Sequence, residues 1–113
     1  MEPVPTHSIR QQELALYAGQ GRISAYPVAV RSWRETGGGG FADPERFPYT
    51  WTVYFEVDGR WAQVVSARGL RREWASLDRM EKWLRALGFR YFWVRNDLEP
   101  AEASAAMDEF SMK

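Results

Sequence analysis

The chain has 113 residues, with 15 Lys and Arg, 15 Asp and Glu, one His and no Cys, so its formal net charge is zero. The length is typical of one domain, and 45% hydrophobic residues are enough for a single core. The lack of Cys excludes disulfides, thiol nucleophiles and Cys-ligated metal sites, and His7 alone cannot form a multi-His zinc site. Without an apolar run of roughly 18 residues or a secretion signal, we expect a cytoplasmic protein with no membrane partner.

The zero net charge is the sum of three blocks. Residues 1–57 carry five basic and six acidic side chains, residues 58–95 carry nine and four, and residues 96–113 carry one and five. A basic middle followed by an acidic tail favours either a surface that binds polyanions or a tail that masks one. The simpler alternative is a solvated surface of mixed charge.

The first predicted element is a helix over residues 8–19, because Ser8 and Gln11 have the spacing of a capping box. Residues 23–34 then alternate as a strand. Pro27 cannot donate to a ladder, so we expect this strand at an edge of the sheet.

Residues 36–48 form a predicted loop that contains Gly37–Gly40. A glycine run that cradles phosphate needs a Lys followed by Ser or Thr and a helix directly after it, and none of these follows here. The loop is therefore predicted to be a flexible connection between two strands.

Asp58-Gly59 lies between two β-rich runs and predicts a type I′ hairpin of strands 49–57 and 60–67. A two-residue turn gives one core face and one half-aromatic, half-polar face. The core-face pairs are Val57 with Arg60, Phe55 with Ala62, Val53 with Val64 and Trp51 with Ser66. The pairs on the other face are Glu56 with Trp61, Tyr54 with Gln63 and Thr52 with Val65.

A second helix is predicted over residues 76–87, with Ser76 as its N-cap. Its buried stripe has helical spacing and consists of Leu77, Met80, Trp83, Leu84 and Leu87. A strand over residues 89–95 follows. The fold prediction is thus α+β in the order α-β-β-β-α-β, with an antiparallel sheet of three to four strands, a domain over residues 1–96 and an acidic tail over residues 97–113.

An enzyme is disfavoured because general acid–base chemistry most often uses His, and His7 precedes the first predicted element. The carboxylate pairs lack the spacing of a metal or glycosidase site, and no nucleophile elbow is present. We therefore expect no catalytic residue, no metal and no cofactor.

Nucleic-acid binding is favoured by arginines that neutralise phosphate and by aromatic side chains on which bases stack. The phosphate candidates are Arg68, Arg71 and Arg72, and the stacking candidates are Tyr54, Trp61, Trp93, Tyr91 and the pair Arg31 and Trp33. The competing interpretation is that most Trp side chains fill the core. We assign Trp51, Trp74 and Trp83 there and leave Trp33, Trp61 and Trp93 open.

A protein partner is an equally open alternative, since exposed aromatic residues interleaved with Arg are typical of interface hot spots. The predicted edge strand over residues 23–34, which contains Ser24 to Ser32, suggests pairing across the axis of a homodimer. Nothing in the sequence separates this alternative from nucleic-acid binding.

A family resemblance is carried by segments spread over residues 9–97. They are Phe47-Pro48-Tyr49-Thr50-Trp51, Asp58-Gly59-Arg60-Trp61, Ser66-Ala67-Arg68-Gly69, Arg72-Glu73-Trp74, Ser76-Leu77-Asp78, Trp83-Leu84-Arg85, Gly88-Phe89-Arg90 and Trp93-Val94-Arg95-Asn96. In these segments the chain resembles small partition-associated (ParC-like) accessory proteins of broad-host-range plasmids. The resemblance implies a mobile-element protein of the bacterial cytoplasm and supplies no catalytic residues.

We therefore expect a non-enzymatic plasmid accessory protein that binds DNA or a DNA-bound protein complex. Mobile elements also encode inhibitors of host defence, such as anti-CRISPR proteins. The alternative is accordingly an inhibitor that blocks a host protein or nucleoprotein complex, with the acidic tail as a nucleic-acid mimic.

Overall fold

The computed structural model of the protein describes residues 2–35 and 48–98. The elements in chain order are β1 (His7–Arg10), a 3-10 turn (Gln11–Glu13), α1 (Leu14–Gly19), β2 (Val28–Trp33), β3 (Tyr49–Val57), β4 (Arg60–Val65), α2 (Leu77–Ala86) and β5 (Trp93–Asn96). The predicted α+β class is confirmed. The run Gly37–Gly40 and residues 99–113 of the predicted tail lie outside the described residues. Within those residues, the helices are too short or too polar to cross a membrane.

The strands form one mixed sheet in the order β1-β4-β3-β2-β5. The three central strands, β4, β3 and β2, pair antiparallel as predicted. The two outer strands do not, because β1 runs parallel to β4 and β5 runs parallel to β2. The prediction that β2 is an edge strand is wrong. Pro27 immediately precedes β2 and needs no N–H there, while its carbonyl accepts a hydrogen bond from Trp93 N at 2.9 Å.

The first three residues of the predicted helix over residues 8–19 belong to strand β1, and the α-helix itself begins only at Leu14. Ser8 pairs with Gln63 in the β1–β4 ladder, and its hydroxyl accepts a hydrogen bond from Gln63 Nε2 at 3.1 Å. A helix-start contact occurs two residues later, where Arg10 N donates to Glu13 Oε1 at 3.1 Å. Pairing with a distant strand has therefore overridden the local capping signal of Ser8.

The predicted β3–β4 hairpin is confirmed at its turn, where Asp58 has a φ of 53° and Gly59 a φ of 78°, as a type I′ turn requires. The ladder extends only to Tyr54 and Gln63, so the predicted pairs beyond it are wrong. Trp51 instead exchanges both backbone hydrogen bonds with Trp74, at 2.9 and 2.8 Å. The segment after β4 therefore returns and closes the gap between β3 and β4.

The main core lies between the sheet and α2. The N-cap prediction is confirmed, since the Ser76 hydroxyl accepts from Arg79 N at 3.3 Å. The buried stripe of α2 is confirmed as well, with Met80 and Leu84 fully buried and Trp83 packed against Trp74 at a ring distance of 4.9 Å. Because Trp51, Trp74 and Trp83 all contact this cluster, their assignment to the core is correct.

A buried ion-pair network fastens the segment after β4 to the end of β2. Arg71 contacts Glu73 Oε2 at 2.5 Å, Glu35 Oε2 at 2.9 Å and the Trp33 carbonyl at 2.9 Å. Glu73 also accepts from Thr50 Oγ1 at 3.0 Å and from Glu35 N at 2.9 Å. The side chains of Arg71 and Glu73 are only 6% and 2% exposed, so their opposite charges compensate one another in a buried position.

We expect Arg71→Ala to lower the free energy of unfolding by about 3 kcal/mol, because it removes a cation that contacts the buried Glu73 carboxylate. Arg68→Ala, in the exposed turn just before the network, is the matched control and should change stability by less than about 0.5 kcal/mol. Urea denaturation of both variants measures the difference. Equal losses would contradict a stabilising role for the network.

Leu84→Ala should lower the free energy of unfolding by about 3 kcal/mol, since it removes a fully buried side chain beneath the sheet. Leu16→Ala provides the control because the Leu16 side chain in α1 is exposed. Thermal and chemical denaturation should both show that Leu84→Ala is less stable than Leu16→Ala. A stable Leu84→Ala protein would contradict the packing of α2 described above.

Candidate binding surface

Three large aromatic side chains lie exposed beside the start of β5. Tyr26, Tyr91 and Trp93, here called the aromatic surface, are 55%, 61% and 67% exposed. They meet because Val28 pairs with Trp93, which brings the residues before β2 beside those before β5. The Tyr26 and Tyr91 ring centroids are 5.5 Å apart. Neighbouring aromatic rings that are exposed to this extent make the surface a candidate for binding a partner.

The aromatic surface borders a groove of about 700 Å³. Its floor and walls are mainly apolar and include Ile23 and Phe89. Among its polar side chains, Ser24 already donates to Glu56 Oε1 at 2.8 Å. Arg90, in contrast, has no carboxylate partner among the described residues and is exposed. The groove therefore offers an apolar cleft with a single guanidinium available to a ligand.

A second cleft, of about 320 Å³, lies on the other side of Tyr26 and Trp93, which line both clefts. The N-terminal segment forms one of its walls. Arg95 Nη1 donates to the Pro3 carbonyl at 2.7 Å, and Thr6 N donates to the Trp61 carbonyl at 2.9 Å. The side chains of Tyr26 and Trp93 therefore separate the two clefts and are accessible from both.

The strand β5 forms one edge of the sheet within the described residues. Trp93 N donates to the Pro27 carbonyl and Asp97 N to the Arg31 carbonyl, so odd-numbered residues bond to β2. Because backbone groups alternate in direction along a strand, the N–H and C=O groups of Val94 and Asn96 point away from the sheet. An open row of backbone donors and acceptors thus adjoins the aromatic surface.

The three predicted phosphate-binding arginines do not form one patch. Arg68 is exposed in the turn over residues 66–70. The Arg72 guanidinium lies 4.7 Å from the centre of the Trp74 ring, and burial lowers its pKa. Arg71 is buried in the network with Glu73, so its assignment to a ligand surface is corrected: its guanidinium stabilises the fold.

The predicted stacking residues are also dispersed. The assignment of Tyr54 to a stacking surface is corrected, because Tyr54 is only 8% exposed and burial raises the pKa of its hydroxyl. The Arg95 guanidinium lies 5.5 Å from the centre of its ring. Trp61 is half-buried on the same face. Of the predicted set, Tyr91 and Trp93 belong to the aromatic surface.

The predicted pair Arg31 and Trp33 lies on the opposite face, toward the other end of β2. Trp33 is exposed and its ring is 4.8 Å from that of Tyr49, while the Arg31 guanidinium is 5.4 Å from the same ring. This pair forms a smaller aromatic site of its own. Tyr26 and Arg90 were missed because only the parallel pairing of β2 with β5 brings them together.

Ion pairs neutralise much of the basic block over residues 58–95. Besides Arg71, its paired cations are Lys82 with Asp78 at 3.5 Å, Arg85 with Glu81 at 3.2 Å and Arg95 with Asp97 at 2.8 Å. The exposed arginines without an ion pair in the described structure are spread over the hairpin, the turn, α2 and the groove, namely Arg60, Arg68, Arg79 and Arg90. The positive block of the sequence is therefore not a continuous positive surface.

Comparison with known proteins adds no further constraint, because no family model, no curated protein and no solved structure matches the chain. The aromatic surface and its groove are accordingly the observations from which a function can be inferred.

Proposed function

We propose that the protein is a non-enzymatic binding module that docks on a protein component of a DNA-bound complex through the aromatic surface. The observation that carries this proposal is the exposure of Tyr26, Tyr91 and Trp93 beside an apolar groove. Buried aromatic anchors at the centre of an interface supply much of its binding energy. The three side chains are in place to serve as such anchors once a partner covers them.

A protein partner is favoured over a nucleic-acid backbone by the distribution of charge. Binding to phosphates relies on several cations that act together, and it weakens strongly with salt. Here Arg71 is buried and three other cations of the basic block are held in ion pairs. One unpaired arginine, Arg90, adjoins the aromatic surface, which suits a single carboxylate better than a chain of phosphates.

The non-enzymatic part of the proposal is supported by the chemistry of the groove. Its polar side-chain groups are those of Ser24 and Arg90, two tyrosine hydroxyls and the Trp93 indole N–H, without a His, Asp or Glu that could act as a general base. Among residues 2–35 and 48–98, no three His, Asp or Glu side chains cluster in the way a metal site requires. Perturbed pKa values elsewhere have local causes, such as the Arg22 ion pair that lowers the pKa of Asp58.

The association with a plasmid, and so with a DNA-bound complex, is supported by the resemblance to partition-associated proteins. The alternative of a mobile-element inhibitor uses the same aromatic surface against a host protein. Asp97 is already held by Arg95 through both carboxylate oxygens, at 2.8 Å each. A tail that mimics nucleic acid would therefore depend on the acidic residues after Asp97.

The test compares the wild-type chain with the double variant Tyr91→Ser and Trp93→Ser. Both are used for affinity capture from nuclease-treated bacterial lysate, and every protein that the wild type enriches is purified and titrated against both. We expect the double variant to weaken binding of such a protein at least about 30-fold, because each anchor contributes hot-spot energy. Trp33→Ser, which removes an exposed aromatic side chain away from the groove, is the matched control and should leave binding unchanged.

The same variants are titrated against labelled single-stranded and duplex DNA at about 50 and 200 mM salt, where phosphate contacts show their salt dependence. Tight, salt-sensitive DNA binding that the double variant retains would overturn the proposal in favour of a polyanion surface. Equal capture by wild type and double variant would overturn it as well.

A further inference from the structure

We propose that β5 binds an extended segment of the partner protein as an additional strand, with an apolar side chain in the groove and a carboxylate opposite Arg90. This inference rests on the proposed function and specifies how that same surface recognises its partner. The occupant is thus an extended, acidic-apolar peptide segment.

The backbone of β5 carries the first part of the argument. Val94 and Asn96 direct their N–H and C=O groups outward, and the Val94 side chain is 55% exposed. An edge that is unpaired within residues 2–35 and 48–98 is a template for another strand. The edge from Trp93 to Asn96 is about 13 Å long, enough for the alternating hydrogen bonds of a short added strand.

The groove supplies the second part, because backbone pairing by itself gives affinity without selectivity. It lies at the N-terminal end of β5 and shares Trp93 and Tyr91 with the edge. A strand laid along β5 and continued past Trp93 therefore reaches the groove. Alternate side chains of that strand point to the same side, so one of them can enter the apolar cleft.

Charge complementarity supplies the third part. Arg90 lines the groove and also the smaller cleft next to it, and it is exposed without a carboxylate partner in the described residues. An arginine fork binds a carboxylate with two parallel hydrogen bonds. An acidic residue close to the apolar one is therefore the expected sequence feature of the partner segment.

The probe is a displayed library of random linear peptides about ten residues long, the span of the edge and the groove together. It is selected on the immobilised full-length chain. We expect enrichment of peptides that combine an aromatic or branched apolar residue with Asp or Glu. A selected peptide is then synthesised with a fluorophore, and its Kd is measured by anisotropy.

Val94→Pro tests the strand pairing, since it removes an outward N–H at a position where an edge strand tolerates proline. We expect peptide binding to weaken at least about 10-fold, because one main-chain hydrogen bond is lost and the carbonyl that accepted it is left unpaired. Val94→Thr keeps the N–H and serves as the control. N-methylation of the peptide at successive amides tests the same bond without changing the protein, and it should weaken binding at alternate positions only.

Arg90→Gln tests the carboxylate contact. It should weaken the binding of a selected acidic peptide about 10-fold. It should have little effect on the binding of the same peptide with Asp or Glu replaced by Asn or Gln. Arg79→Gln is the matched control, because Arg79 is likewise exposed, with no ion pair in the described structure, but lies on α2 away from the groove.

The outcomes separate this inference from the proposed function. Strand addition is overturned if peptide binding survives Val94→Pro and shows no alternation under N-methylation. If that binding is nevertheless lost in the Tyr91 and Trp93 double variant, the aromatic surface remains the docking site. If no peptide is enriched, the proposed occupant is wrong. It is also wrong if sedimentation shows that the wild type is a dimer and that Val94→Pro has no effect other than converting it to a monomer, because β5 then pairs with a second copy of the chain.

Discussion

The parallel pairing of β5 with β2 is the constraint on which the rest of the structure depends. It buries both edges of β2, so that Ala29 and Val30 become fully buried in the middle of the sheet. It also moves the edge outward to a strand of only four residues. The aromatic surface is a direct consequence, because parallel strands begin at the same side of the sheet and the residues before them become neighbours.

The sequence was sufficient wherever the determining interactions are local. Asp58-Gly59 specifies its turn through positive φ angles, and Ser76 with the apolar stripe behind it specifies α2. It failed where pairing is between distant segments. Ser8 has the capping signal of a helix but lies in a strand beside β4, and Pro27 suggested an edge although it only precedes the strand. Neither outcome can be read from a window of a few residues.

The binding residues show the same limit for a different reason. Arg68, Arg71 and Arg72 lie within five consecutive residues and are chemically alike, yet one is exposed, one is buried with Glu73 and one lies against Trp74. Burying an arginine is tolerated only when a partner compensates its charge, and the partner Glu73 lies two residues away. Residue type alone therefore could not separate arginines that are buried in the fold from those available to a ligand. The sequence likewise left Trp93 open between core and surface, because only the pairing of β5 with β2 fixes its 67% exposure.

An exposed sheet edge next to exposed aromatic rings is a combination that a folded domain must limit, because it also favours aggregation. The short length of β5 is one limit. The Arg95–Asp97 ion pair at its end is another, since it places charge where a longer strand would otherwise extend. What remains open is a row of backbone groups just long enough for a short peptide strand, followed by a groove that selects its side chains. These restrictions leave the edge usable by an extended segment that carries both an apolar and an acidic residue, and unfavourable for the continuous sheets of an aggregate.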